Sequence, residues 1–159
     1  MKKAISLFAF LLLGLTCSLA QVKVSSGSLS MDVQFKRAVA QGNDVFIDLI
    51  VTCNTNWEKV GLSGCKIYDD EGNYYNMWDG YGNRGYRIDV IENDERIPLP
   101  SGAASIPVAR DIPRKVRILV KGVDEYASSF VQISIEWWGD MWRDKSFNST
   151  LKNVPITRD

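Results

Sequence analysis

The sequence predicts an all-β protein, a two-sheet sandwich of about seven to nine antiparallel strands. Three observations carry this expectation. Apolar and polar residues alternate with period two in one segment after another. Turn formers (Gly, Asn, Asp and Pro) interrupt the alternation about every ten residues. No stretch sustains a helical period.

The segments run as follows. Leu29, Met31, Val33 and Phe35 alternate with Ser30, Asp32, Gln34 and Lys36. Gln41-Gly42-Asn43-Asp44 is a turn signal. Val45, Ile47, Leu49, Val51 and Cys53 then form one apolar face, with Asp48 and Thr52 on the other. Leu62 to Tyr68 places Cys65 and Ile67 on one face, Lys66 and Tyr68 on the other. Tyr86 to Ile91 is a short strand, followed by a loop through Pro98-Leu99-Pro100-Ser101-Gly102. Ala104 to Ala109 and Leu151 to Ile156 contain Pro107 and Pro155, which lack the ladder donor and so predict edge strands. Val116, Ile118 and Val120 alternate with Lys115, Arg117 and Lys121, and Val131 to Trp137 with Gln132 to Trp138. Gly122 to Ser129 breaks the alternation and has room for one helical turn. Short strands at this spacing point to a sandwich of immunoglobulin-like type.

The first twenty residues read as an export signal rather than as part of the fold. Met1-Lys2-Lys3 is a basic start, Ala4 to Leu15 an apolar run, and Ser18-Leu19-Ala20 a small-x-small cleavage pattern leaving Gln21 as the new N-terminus. The run is short for a membrane span, which needs roughly 20 apolar residues. Cys17 as a lipid acceptor is the rival reading, weakened by Gly14 where an aliphatic residue is wanted. Removing 20 of 159 residues leaves 139, expected to form one domain, residues 21–159. That chain carries 17 basic and 19 acidic residues, a net charge of −2 without a nucleic-acid footprint. No later apolar run is long enough to span a bilayer.

The sequence has no histidine, which removes imidazole catalysis and every His-ligated metal site. Cys53 and Cys65 remain after signal removal, an even count in an oxidising compartment. Both fall on inward faces of consecutive strands, so a Cys53–Cys65 disulfide is expected. In the chain-entropy picture it would stabilise the fold by roughly 3 kcal/mol.

The stretches Phe46 to Asn56 (FIDLIVTCNTN) and Cys65 to Tyr75 (CKIYDDEGNYY), the Pro-Leu-Pro-Ser-Gly loop and the run from Val116 to Ile135 resemble a known group. This group is the secreted or lipid-anchored bacterial immunoglobulin-like domains of unknown function. The resemblance implies an exported binding or scaffold domain and carries over no catalytic residue.

The densest unusual stretch is Asp69 to Tyr86. Asp69, Asp70, Glu71 and Asn73 offer oxygen ligands, but Tyr74 stands where an EF-hand needs glycine. Asp-Glu-Gly-Asn is more simply a tight hairpin, and no metal or cofactor is expected. Trp78, Asp79 and Tyr81 lie in a glycine-rich segment that a hairpin does not require, and Trp138 and Trp142 flank Gly139-Asp140. Trp137 has inward parity. Trp138 has outward parity and is the best candidate for an exposed ring. These five residues (Trp78, Asp79, Tyr81, Trp138, Trp142) are the candidate ligand or partner contacts, because an exposed aromatic patch marks an interaction site. Glycosidase chemistry needs two carboxylates about 5 to 10 Å apart in a cleft, and nothing selects a pair. Most of Arg110, Arg114, Lys115, Arg117 and Lys121 are expected to be the solvated side of a strand. Asn148-Ser149-Thr150 matches a glycosylation acceptor by accident, given the bacterial form of the signal. The expectation is an exported, non-catalytic module that binds a protein or glycan of the cell envelope; a carbohydrate-binding module is the alternative.

Overall fold

The computed structural model describes residues 22–76, 85–92, 95–98, 104–139 and 146–158. Twelve strands are present: β1 Lys23–Ser26, β2 Met31–Gln41, β3 Asp44–Cys53, β4 Lys59–Asp69, β5 Tyr74–Tyr75, β6 Gly85–Glu92, β7 Glu95–Pro98, β8 Ala104–Pro107, β9 Pro113–Lys121, β10 Ser129–Gly139, β11 Phe147–Pro155 and β12 Thr157–Arg158. Among the described residues none forms a helix, so none forms a helix able to cross a membrane.

Two sheets face each other. One has the order β1-β11-β10-β4-β5, with β8 also pairing β4; the other has the order β12-β2-β3-β9-β6-β7. The strand pairs are antiparallel except the two-residue pair of β12 with β2. Seven strands have eight or more residues: β2, β3, β4, β6, β9, β10 and β11. They stand as β2-β3-β9-β6 against β11-β10-β4, the A-B-E-D and G-F-C order of an immunoglobulin sandwich, with β5 in the C′ position. Five short strands trim the edges.

The period-two alternation builds the core. Val45, Ile47, Leu49 and Val51 of β3, Val116, Ile118 and Val120 of β9, and Ile133, Ile135 and Trp137 of β10 are all buried inside. Where the ladder slips, the faces change. Register shifts between Phe130 and Gln132 on β10 turn Val131 out, 47% exposed, and give its core place to Phe130. A shift between Phe35 and Arg37 on β2 leaves Lys36 and Arg37 both exposed. Leu29 is not a strand residue: it sits in the turn before β2, 99% exposed. The segment 122–128 has no helical turn and is anchored through buried Val123 and Ala127. β11 is not an edge along its middle, because β1 covers it from Ser149 to Lys152 and Pro155 lies beyond that cover.

The Asp69–Asn73 turn is the expected hairpin. Asp69 N donates to Asn73 O at 3.1 Å, and Gly72 takes φ of +82°, a conformation suited to glycine. The buried Asp69 carboxylate accepts from Asn73 N at 2.7 Å and from Tyr75 Oη at 2.6 Å. Asp70 instead reaches the turn before β10, where it accepts from the Ser128 and Ser129 amides. The two acids are thus spent on hairpin and turn, and among the described residues no acidic or thiol cluster is arranged to hold a metal.

The expected disulfide is absent. Cys53 and Cys65 are two buried free thiols. Both point inward, as parity requires, but at different levels. Cys65 N donates to Tyr86 Oη at 2.6 Å, and Tyr86 pairs with Val120, which pairs with Val45. Cys53 lies at the far end of β3 from Val45, about 26 Å along the strand. A bridge needs Cα atoms within about 7 Å.

Candidate functional site

The outer face of the β11-β10-β4-β5 sheet carries two exposed tyrosines, a half-buried tryptophan and a row of hydrogen-bonding side chains. Outward positions repeat along β10 as Gln132, Ser134, Glu136 and Trp138. Their neighbours on β4 are Tyr68, Lys66, Gly64 and Gly61. Gln132 and Trp138 are six residues apart, so the face extends for about 20 Å along the strands.

At one end Tyr68 and Tyr74 are paired directly across the hairpin, since both stand next to the turn on opposite arms. Their rings stack with centroids 4.8 Å apart and an interplanar angle of 29°, each residue 40% exposed. Tyr75, one residue on, turns inward and meets Phe130 edge-on. At the other end Trp138 is half-buried, its indole occupying the space above Gly61 where a Cβ would project. Only glycine allows that seat. Between the two ends is a shallow groove of about 290 Å³, lined by Lys66, Tyr74, Ser134, Glu136 and Asn148 beside Gly64. It offers an amine, a carboxylate, an amide and a hydroxyl between aromatic rings.

The tryptophans divide by role. Trp137 is fully buried in the core. Trp57 is partly buried, lies against Gly139 and stacks on Phe147 at 6.3 Å, closing one end of the sandwich. Of the sequence candidates only Trp138 belongs to the described residues. Trp78, Asp79, Tyr81 and Trp142 lie outside them. The flanks of the first of these segments are joined, because Tyr86 N donates to Asn76 O at 2.8 Å. Tyr68 and Tyr74 were missed as a pair. Their equal distance from the Asp69–Asn73 turn was the available signal.

The opposite outer face differs from a plain solvated strand. Arg117 is half-buried and bonds Asp48 through Nε at 2.6 Å and Nη2 at 2.9 Å. Arg110 and Lys115 are exposed, as expected.

No known protein family matches the sequence, and no curated protein does. Among the solved structures that share part of the shape are two from bacteria. One is a family 123 glycoside hydrolase from Clostridium perfringens, with 14% identity and a TM-score of 0.39 over 86% of this chain. This chain spans 26% of that hydrolase. The other is the collagen-binding subdomain of the Enterococcus faecalis surface protein ACE, with 12% identity and a TM-score of 0.36, covering 79% of this chain and 98% of that one. Such distant likenesses carry no function across. The strand order itself defines the class: an immunoglobulin-like β-sandwich.

Proposed function

We propose that the protein is a non-catalytic binding module of the cell envelope that holds its partner, a protein or a glycan, on the outer face of the β11-β10-β4-β5 sheet. The observation that carries this reading is the pairing of two aromatic stations, Tyr68–Tyr74 and Trp138, about 20 Å apart across a groove of hydrogen-bonding side chains. Export is supported by the basic, apolar and small-x-small pattern of residues 1–20. The non-catalytic reading is supported by the use of Asp48, Asp69 and Asp70 in structural hydrogen bonds. The test is a photocrosslinking residue at position 134, compared with one at position 126 in the exposed loop before β10, in the exported protein. Crosslinks confined to position 134 are expected; equal yields from both positions would remove the assignment of the face.

A carbohydrate-binding module is the second reading, favoured by the seat of Trp138 on Gly61. The half-buried indole lies on the same face as Tyr68 and Tyr74, and aromatic surface of this kind is what a sugar ring stacks on. A glycan array with the wild type and Trp138→Ala tests it: a sugar bound by the first and lost by the second is expected. No sugar bound by either protein would leave a protein partner for this face.

A further inference from the structure

The outer face of the other sheet carries a row of alternating charge. Arg37 on β2, Asp48 on β3, Arg117 on β9 and Asp89 on β6 are register partners across four adjacent strands. Asp48 accepts from Arg37 Nε at 2.8 Å and from Arg117 Nε at 2.6 Å, so one carboxylate fixes two guanidinium groups. Arg117 is also held 5.5 Å over the Phe46 ring. Arg37 keeps 64% of its side chain exposed. The register shift on β2 brings Lys36 out beside it, and bulges of this kind re-aim side chains at functional positions. Shallow grooves of about 220 Å³ flank the row on both sides. Lys36, Ile50 and Lys115 line one; Val39, Gln41 and Phe46 line the other; Arg37, Asp48 and Arg117 line both.

The geometry points to a second binding site here, one that takes the sulfate or carboxylate groups of an acidic polysaccharide laid across β2, β3 and β9. Asp48 holds Arg37 through Nε, which orients an exposed guanidinium of the kind that suits oxyanions, while Arg117, whose Nε and Nη2 both serve Asp48, adds its charge. The row itself is balanced by Asp48 and Asp89, and the modest positive excess comes from Lys36 and Lys115 beside it, which fits a chain with widely spaced charges. A nucleic acid is a poorer match: its phosphates are dense, and Arg117 already covers the Phe46 ring that a base would stack on. A protein partner would want a buried apolar centre. Ile50 and Val39 are only half-buried edges of open grooves.

The experiment measures binding of sparsely sulfated dextran, partly esterified polygalacturonate, neutral dextran and duplex DNA to the chain from Gln21 onward, at low and raised ionic strength. At least one acidic polysaccharide is expected to bind, more weakly as salt rises; whichever binds better identifies sulfate or carboxylate as the group taken. Lys36→Ala/Arg37→Ala is expected to weaken binding about tenfold, the scale of one charge-assisted hydrogen bond. Lys36→Arg is expected to keep it. Lys23→Ala/Lys152→Ala removes the same charge from the other sheet and is expected to leave binding unchanged. The proposal is overturned if neither acidic polymer binds, if neutral dextran binds equally well, if DNA binds more tightly, or if the two double variants lose affinity equally.

Discussion

The indole of Trp138 lies where a side chain on Gly61 would begin. The two residues are register partners on β10 and β4, so their relation is fixed by the ladder itself. Gly61 is not among the glycines with positive φ, so its backbone would accept alanine. The ring alone demands glycine. Gly61→Ala is therefore expected to lift the indole off the sheet and to cost about 1–3 kcal/mol, the range for overpacking. In a Trp138→Ala background the same change is expected to cost little. Denaturant melts of the four proteins give the coupling directly, and an equal cost in both backgrounds would show that the ring is not seated on residue 61.

Asp48 and Asp89 belong to one row yet respond oppositely to pH. Burial pushes the Asp48 carboxyl up, but hydrogen bonds and charge from Arg117 and Arg37 outweigh it and hold the group below its ordinary value. Its stabilisation is then complete above the unfolded value of about 3.9 and is lost as pH falls through the lower folded value. Asp89 has no exposure, and burial raises it, with only partial offset from Arg87 and Arg117. Its contribution is complete below the unfolded value and is lost as pH rises through the raised one. Asp48→Asn is expected to cost about 1–3 kcal/mol at neutral pH and little in strong acid. Asp89→Asn is expected to gain stability at neutral pH and to match the wild type in acid. Urea unfolding across the acid range checks both signs, and parallel profiles for all three proteins would contradict them.

Tyr86 links the two sheets through a single atom. Its Oη accepts the Cys65 amide at 2.6 Å in the buried interior. Burial pushes the phenol up to about 12. Because the unfolded value is about 10, the fold loses this group's stabilisation as pH rises from there towards 12. Tyr86→Phe is expected to cost about 1–3 kcal/mol at neutral pH, because the amide loses its acceptor in a dry site. Its melting temperature is also expected to fall less steeply above pH ~10. A variant as stable as the wild type would show the amide to be satisfied otherwise.

Local alternation and turn chemistry made most of the sandwich legible. β3 and β9 put every predicted core residue inside, because neither carries a register shift along its length. The Asp69–Asn73 turn was legible for the same local reason. What alternation does not reveal is a slip in pairing. Val131 turned outward because β10 carries an extra residue there, and the same kind of slip on β2 left Arg37 exposed beside Lys36. Nor does it reveal the level at which two inward residues stand, which separated Cys53 from Cys65. Trp138 was readable as outward, but its seat on Gly61 depends on which residue of β4 the long-range ladder sets opposite it.

The two thiols give the most direct check of that register. Cys53 is buried at the end of β3, its Sγ 3.5 Å from Thr55 O. Burial pushes the Cys65 thiol up, so little reactive thiolate forms there at neutral pH. The chain from Gln21 onward, exported into an oxidising compartment and collected without reductant, is expected to keep both as thiols. A thiol reagent should label neither residue in the native protein and both after unfolding in urea, and reductant should leave the melting temperature unchanged. Cys65 is tied through Tyr86 to the Val45 level, and Cys53 stands about 26 Å along β3 from Val45, so a bridge would break the sandwich register. An intact mass lower by two hydrogens, together with no labelling in urea, would mean that β4 sits at a different level against β3 and β6.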